Sequence, residues 1–409
     1  MKYARCLLFA LLAFMFTSPL SACTTAIVSG KYTSDGRPLL FKNRDTGNSR
    51  NKLVYFDDGE YDYIGVVNAS DSLGARVWQG CNSAGFAIMN SVSSNLNVGD
   101  TTKVKDMDNG IFMKLALEKC ASLDDFERFL DEQPKPLGVQ ANFGVIDAYG
   151  GAAYYESGNS GYVKIDANDP KIAPFGYIVR TNYSNTGERD KGHGYIRYST
   201  AEELFYRAAA VNDLSYRFIL KDVARCLKHS LTGVDLTGSL PENGDRMQFV
   251  PFEDFIPRFT TASVTIVQGI REGEPPELST IWTVIGFPLC SVAVPTWVAG
   301  GDTLPKIVTG ENTDRAPLEM MTAELKDRCF PIRRGSGNKY LNLAAVANRK
   351  NTGILQKLAP LEKEILDETD GKLKKWREKG ASRRSIRNHY KWIDKTVTKG
   401  YGDLFGIEQ

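Results

Sequence analysis

Histidine is scarce in this chain: three in 409 residues, His193, His229 and His389, none in a recognisable catalytic setting. Chemistry built on an imidazole base has little to draw on. Cysteine is present but unpatterned. Seven are scattered with no CxxC spacing, which excludes a disulfide framework and a thiolate zinc site. No cluster of His, Cys and carboxylates stands at ligand spacing, so neither a metal nor a cofactor is expected. An excess of one charge is lacking too. Taking Lys2 and Arg5 out with a leader leaves 49 of the 51 basic residues against 49 acidic ones. A near-neutral chain has no basic field for nucleic acid. Beyond the first 22 residues no apolar run could span a bilayer. Fixed-period repeats and low-complexity segments are also missing.

What is present begins with a leader. Lys2 and Arg5 precede "CLLFALLAFMF", and "TSPLSA" ends in small residues, the pattern of an export signal over residues 1–22. The expected location is periplasmic or secreted. "LSAC" is also a lipobox, so an outer-membrane lipoprotein with an acylated, non-catalytic Cys23 is the alternative. Four cysteines, Cys81, Cys120, Cys226 and Cys290, read most simply as buried apolar residues.

The rest of the chain alternates hairpins and helices. "CTTAIVSG", the turn "TSDGR" and "PLLFKNRD" make a hairpin that starts at Cys23. "ARVWQGCNSAGFAIMNSVS" repeats strand, turn and strand. "NGIFMKLALEKC" and "SLDDFERFLDEQ" have helical spacing, the second capped by Ser122. "ANFGVIDAYGGAAYYES" and "GYIVRTNYS" return to strand. Residues 199–231 read as two helices, the first with the capping pattern Ser199 to Glu202. Three strands follow, "TTASVTIVQG", "STIWTVIGF" and "SVAVPTWVAG". Residues 346–409 are charged and helical, and "KLKKWREKGASRRSIRNHYKW" reads as a solvated face. Loops such as 47–75 and 184–198 show no clear pattern. The arrangement suggests an α+β fold of antiparallel sheets with helices outside.

With the leader removed, Cys23 would carry both a thiol and a free α-amine. An α-amine with a pKa near 7.7–8 is partly neutral at pH 7 to 8, and a thiol is a strong nucleophile. One residue then supplies nucleophile and base, and no histidine is needed. The returning strand brings Lys42 and Arg44 as positive charge and Asp45 as an acceptor for the amine. A cysteine–histidine pair using His193 or His229 is a third possibility.

"CTTAIVSGKYTSDGRPLLFKNRD" resembles the start of the cysteine N-terminal-nucleophile hydrolases. These include choloylglycine hydrolases, penicillin V acylases, acid ceramidase-like amidases and the acyl-CoA:6-aminopenicillanic acid acyltransferases. "GCNSAGFAIMNS", "NFGVIDAYGGAAYYES", "RTNY", "PRFTTASVTIVQG" and "WTVIGFPLCSVAVPTW" extend the resemblance in order, over roughly 23–310. It implies a four-layer αββα sandwich over 23–345, with 346–409 as a helical extension packed on it. It implies Cys23 as nucleophile, its amine as base, and Asp45 as the amine's partner. Asn182 and Asn90 match the oxyanion contributors, and Arg258 matches the arginine that ties down the Cys–Asp pair. Lys42 departs from the pattern, which has arginine there. A lysine cannot give a bidentate contact, and Arg44 stands two positions on. The implied activity is cleavage of a linear amide of an N-acyl small molecule through a thioester. Transfer of the acyl group to another amine or thiol is open to the same site. Bile-salt conjugates, N-acyl amino acids, penicillins and N-acyl lipids all fit the resemblance, and the motif style leans to the acyltransferase branch. Oligomeric state stays open.

Overall fold

The computed structural model describes residues 22–102, 104–105, 107–310 and 315–407. The leader expected at 1–22 lies outside these, apart from Ala22.

The chain opens with β1 (Ala22–Val28), a turn, and β2 (Leu39–Asp45), all of whose residues are buried. Two short strands follow, β3 (Asn51–Phe56) and β4 (Tyr63–Asn68), then β5 (Gln79–Asn82) and β6 (Ala87–Val92). Helix α1 (Asn109–Lys119) is capped by Asp108, and α2 (Leu123–Glu132) by Ser122, whose hydroxyl accepts from Asp125 N as the sequence suggests. Then come β7 (Ala141–Ile146), β8 (Ala152–Gly158), β9 (Gly161–Asp166), β10 (Tyr177–Arg180) and helix α3 (Tyr195–Ala210). The late strands are β11 (Thr261–Gln268), β12 (Thr280–Ile285) and β13 (Ala293–Thr296). Helices α4 (Pro317–Cys329), α5 (Ile354–Lys379) and α6 (Arg383–Phe405) end the chain.

Among the described residues the strands form two large antiparallel sheets. One runs β10-β1-β2-β11-β12-β13, and the other β3 to β9 in chain order. The sheets face each other: β1 and β2 pack on β6 and β7. Phe86, Phe112, Phe126 and Phe143 join α1 and α2 to the outer face of the seven-stranded sheet. Helices α3 to α6 cover the outer face of the other. The order of layers is therefore helix, sheet, sheet, helix, the α+β sandwich the sequence implied. With both faces covered, the central strands bury every side chain, which is why they read as continuous apolar and β-branched runs. Leu358, Ile365, Trp376, Ile386 and Tyr390 of α5 and α6 share one core with Trp282 and Trp297 of the sheet. Among the described residues no helix is long and apolar enough to cross a membrane.

Two expectations differ from the structure. The first helix of 199–231 starts four residues early, at Tyr195 behind Gly194, so Ser199 is internal and its hydroxyl donates to Tyr195 O. The second is only a short turn at 216–218 that widens over 219–223 and stops. There Arg225 is drawn away to donate to Pro288 O and Ser291 O and to pair with Glu362. These tertiary bonds override a helical pattern. The described cysteines are all free and buried, with Cys290 and Cys329 sulfurs 3.4 Å apart.

Candidate active site

The register of the first hairpin builds the site. Cys23 stands opposite Arg44, and Ala22 opposite Asp45. Thr261 of β11 pairs with Asp45 from the other side, and Thr25 of β1 with Arg180 of β10. Cys23, Asp45, Thr261 and the β10 exit thus lie at one end of one sheet.

Alternation divides these residues between two faces. Thr25 accepts from the Tyr154 hydroxyl of the opposite sheet at 2.8 Å, so Cys23, two residues away, also faces the space between sheets. Arg44 and Lys42 face the same way. Arg44 donates to Asn51 Oδ1 at 2.8 Å and Asn68 Oδ1 at 2.9 Å, and lies 4.7 Å from the Trp78 ring centre. Lys42 Nζ donates to Trp78 O at 2.8 Å and Asn90 Oδ1 at 2.7 Å. Burial pushes the Lys42 ammonium down to about 7; attraction to Cys23 opposes this, repulsion from Arg44 adds to it, and Asp45 opposes it. Burial likewise pulls Arg44 down to about 10, with Cys23 again opposing. The thiol is therefore flanked by a buried guanidinium and by a buried lysine that titrates at about 7.

The other face holds the main chain of Cys23. Its backbone nitrogen donates to Asn182 Oδ1 at 2.9 Å. Arg197 donates to Cys23 O at 2.6 Å, to Thr24 Oγ1 at 2.9 Å and to Asn182 Oδ1 at 2.8 Å. Burial, then the nearby Arg258, pull Arg197 down to about 10, against Asp45 and Cys23. Asp45 accepts from Arg258 Nε at 2.8 Å and from the Thr261 hydroxyl at 2.6 Å. Arg258 meets Asp45, and Lys42, Arg44, Asp45 and Arg258 gather around the Cys23 end of the sheet, but the Cys23 nitrogen donates to Asn182 and not to the Asp45 carboxylate expected as its partner.

Asn182 is oriented differently from the expectation. It was expected to donate to an oxyanion. A guanidinium only donates, so the amide oxygen must face Arg197, and that fixes the flip. Its Nδ2 donates to Val92 O at 3.0 Å. Asn182 is thereby an acceptor for the Cys23 nitrogen. Asn90 offers its Oδ1 to Lys42, and its Nδ2 makes no hydrogen bond among the described residues.

Arg197 and Thr261 went unassigned in the sequence. Arg197 left a trace: with Ala201, Phe205 and Ala208 it makes the inward stripe of α3, and a charge on such a stripe asks for a partner. Gly194, at φ 84°, precedes it, and a Cβ there would sit 2.3 Å from Arg197 Nη2. Thr261 left no separate trace inside an ordinary strand start.

The histidines stay apart. His193 bridges Asn182 through backbone only, His229 Nδ1 accepts from Thr232 N, and His389 is buried against Thr369 and pushed down to about 4 by that burial. None bonds Cys23. No group of three or more His, Cys, Asp or Glu residues that could hold a metal ion occurs among the described residues.

Comparison with known proteins gives one family. Residues 32–216 match the family described as acyl-coenzyme A:6-aminopenicillanic acid acyl-transferase. The resemblance read from the motifs is thus shown over just under half of the chain. The match takes in Lys42, Arg44, Asp45, Asn90, Asn182 and Arg197, and stops short of Cys23 and Arg258. No curated protein matches the chain. Among solved structures, it is similar to a conjugated bile acid hydrolase from Clostridium perfringens, at 12% identity, over 68% of this chain and 92% of that one, with a TM-score of 0.38. It is also similar to a penicillin V acylase from Agrobacterium tumefaciens, at 12% identity, over 67% and 86%, with a TM-score of 0.38. A third is the Caenorhabditis elegans ortholog of N-acylethanolamine-hydrolyzing acid amidase, at 14%, over 64% and 99%, with a TM-score of 0.35. These overlaps are too loose to carry a residue or a substrate to this chain.

Proposed function

We propose that this chain is an exported cysteine amidohydrolase of the N-terminal-nucleophile type, cleaving the linear amide of an N-acyl small molecule through a Cys23 thioester. The family match supports the coarser statement, an amide hydrolase or acyltransferase. One observation carries the finer one: the nitrogen of Cys23 is held by Asn182 and its carbonyl by Arg197, while its side chain faces Lys42 and Arg44.

In the full chain that nitrogen is a peptide N–H. Removal of residues 1–22 turns it into an α-amine already seated on an acceptor. Neutral amine takes the thiol proton, and the thiolate attacks the amide carbonyl carbon. Asn90 Nδ2 is the donor we assign to the resulting oxyanion; losing such a donor costs roughly two to three orders of magnitude in rate. The C–N bond breaks as the ammonium of Cys23 protonates the leaving amine. The amine then activates water, which cleaves the thioester to a carboxylic acid and restores the thiol. A second amine or thiol arriving before water makes the site an acyltransferase. Arg258 and Thr261 hold Asp45, and Arg197 and Asn182 hold Cys23, so these four are positioning residues.

Burial of Cys23 in the second position of a central strand supports a free thiol over a lipid anchor, which would head a solvated tether. The test is Cys23→Ala in the mature chain against a panel of chromogenic N-acyl amides. Loss of turnover with an unchanged melting profile is expected. Turnover retained by a folded alanine variant would end the reading.

A further inference from the structure

We propose that a cavity of about 450 Å³ between α4 and the ends of β11 and β12 is a subsite for a carboxylate on an apolar stem, remote from the amide that Cys23 attacks. This rests on the Cys23 reading above and deepens it by naming a substrate class.

The cavity lies at the same end of the sheet as Cys23 but on the helix-covered face, so a substrate held at the thiol rounds the end of the sheet to reach it. Thr261 forms part of its wall, and the same hydroxyl donates to Asp45. Neighbouring strands lie about 4.8 Å apart, so the two steps from β1 to β11 put this wall on the order of 10 Å from Cys23. Phe259, Phe287, Phe330 and Ile332 supply the apolar surface. Most of the wall lies after residue 216, beyond the segment that matches the family.

Four ionisable side chains line the space, and three are spoken for. Asp327 pairs with Arg333 at 2.5 Å, and Glu319 with Arg315 at 2.7 Å. Lys326 is the remainder. Its ammonium donates to Phe259 O, lies 4.2 Å from the Phe259 ring centre and 5.6 Å from that of Phe287, and has no carboxylate within 4 Å among the described residues. An ammonium has three donors, and the carbonyl takes one. Burial also pushes its pKa down, so the cation is held at a cost that an incoming anion would relieve. Aromatic walls with one unsatisfied cation suit an apolar stem ending in a carboxylate.

The experiment compares monoamides of linear dicarboxylic acids with their methyl esters. Both kcat/KM on mature protein and equilibrium binding to its Cys23→Ala variant are read. The acid is expected to outperform its ester about ten- to a hundred-fold, the range for a hydrogen-bonded charge. Lys326→Met should bring the ratio towards one, and Lys326→Arg should keep most of it. A wild-type ratio near one, or a ratio that survives Lys326→Met, overturns the subsite. Absent turnover of both amides with intact, Lys326-dependent binding of the acid would sink the Cys23 chemistry and leave the subsite standing. Should Lys326→Met fail to fold, loss of the preference in Ile332→Glu, which places an anion on the wall, is the supporting result. A preference unchanged there is the opposing one.

Discussion

Arg197→Met is the most informative perturbation outside the nucleophile. Cys23 N and Arg197 Nη2 share Asn182 Oδ1, at 2.9 and 2.8 Å, so they lie no more than about 6 Å apart. Two unit charges at that distance, with an effective dielectric near 20, repel by about 3 kcal/mol, or roughly two pKa units. Asp45 offsets part of this. Removing the guanidinium should therefore make the Cys23 amine easier to protonate. The base would need a higher pH, and the acid limb of the kcat/KM profile should move up by about one to two units. The fold should also suffer. Three hydrogen bonds to buried acceptors vanish, against some relief of the desolvation that pulls Arg197 down to about 10, for a net loss of about 2–4 kcal/mol. Arg197→Lys separates the two effects: it keeps the charge and loses the fork, so it should leave the limb near its place while lowering kcat. The assay is a pH–rate series on mature protein beside urea unfolding. An acid limb that stays put in Arg197→Met would refute the electrostatic role.

Lys42→Met should change how stability depends on pH. Lys42 sits near 7 in the fold and near 10.5 unfolded, so between those values the unfolded chain binds more protons and stability rises with pH. Lys42 alone contributes on the order of 3–5 kcal/mol across that window, so wild type should gain about that much relative to the methionine variant; parallel unfolding curves at pH 6.5 and 10 decide it. Gly194→Ala should cost about 1–2 kcal/mol from its left-handed backbone and reproduce part of the Arg197→Met shift of the acid limb, because its methyl meets Arg197; a melting shift with an unaltered pH–rate profile would count against this. Replacing His193 and His229 together with alanine should leave amide turnover within a few-fold, and its abolition in a folded protein would favour a Cys–His pair.

Much of the site was legible because it is local. Cys23 and Asp45 are joined by one hairpin, whose β-branched strand and returning "FKNRD" are local in sequence and pair along their whole length. Arg258 was found through the motif that surrounds it. What escaped was set by contacts far apart in sequence. Arg197 reaches Cys23 across 174 positions, and only its place on an apolar helical stripe hinted at this. The identity of Asn182 was readable, but its orientation depended on Arg197 and so could not be. Strands β3 and β9 have mixed exposure and weak alternation, and they form because neighbouring strands offer their edges. The broken helix near 219 yields to Arg225, a partner choice that no local pattern encodes.

The most direct test is the intact mass and N-terminal peptide of the mature protein from its native envelope, after thiol alkylation. The account requires a chain that begins at Cys23, with an unmodified α-amine and a thiol that takes one alkyl group. A Cys23 bearing diacylglycerol and an acylated amine would contradict it, since both groups the chemistry uses would then be blocked.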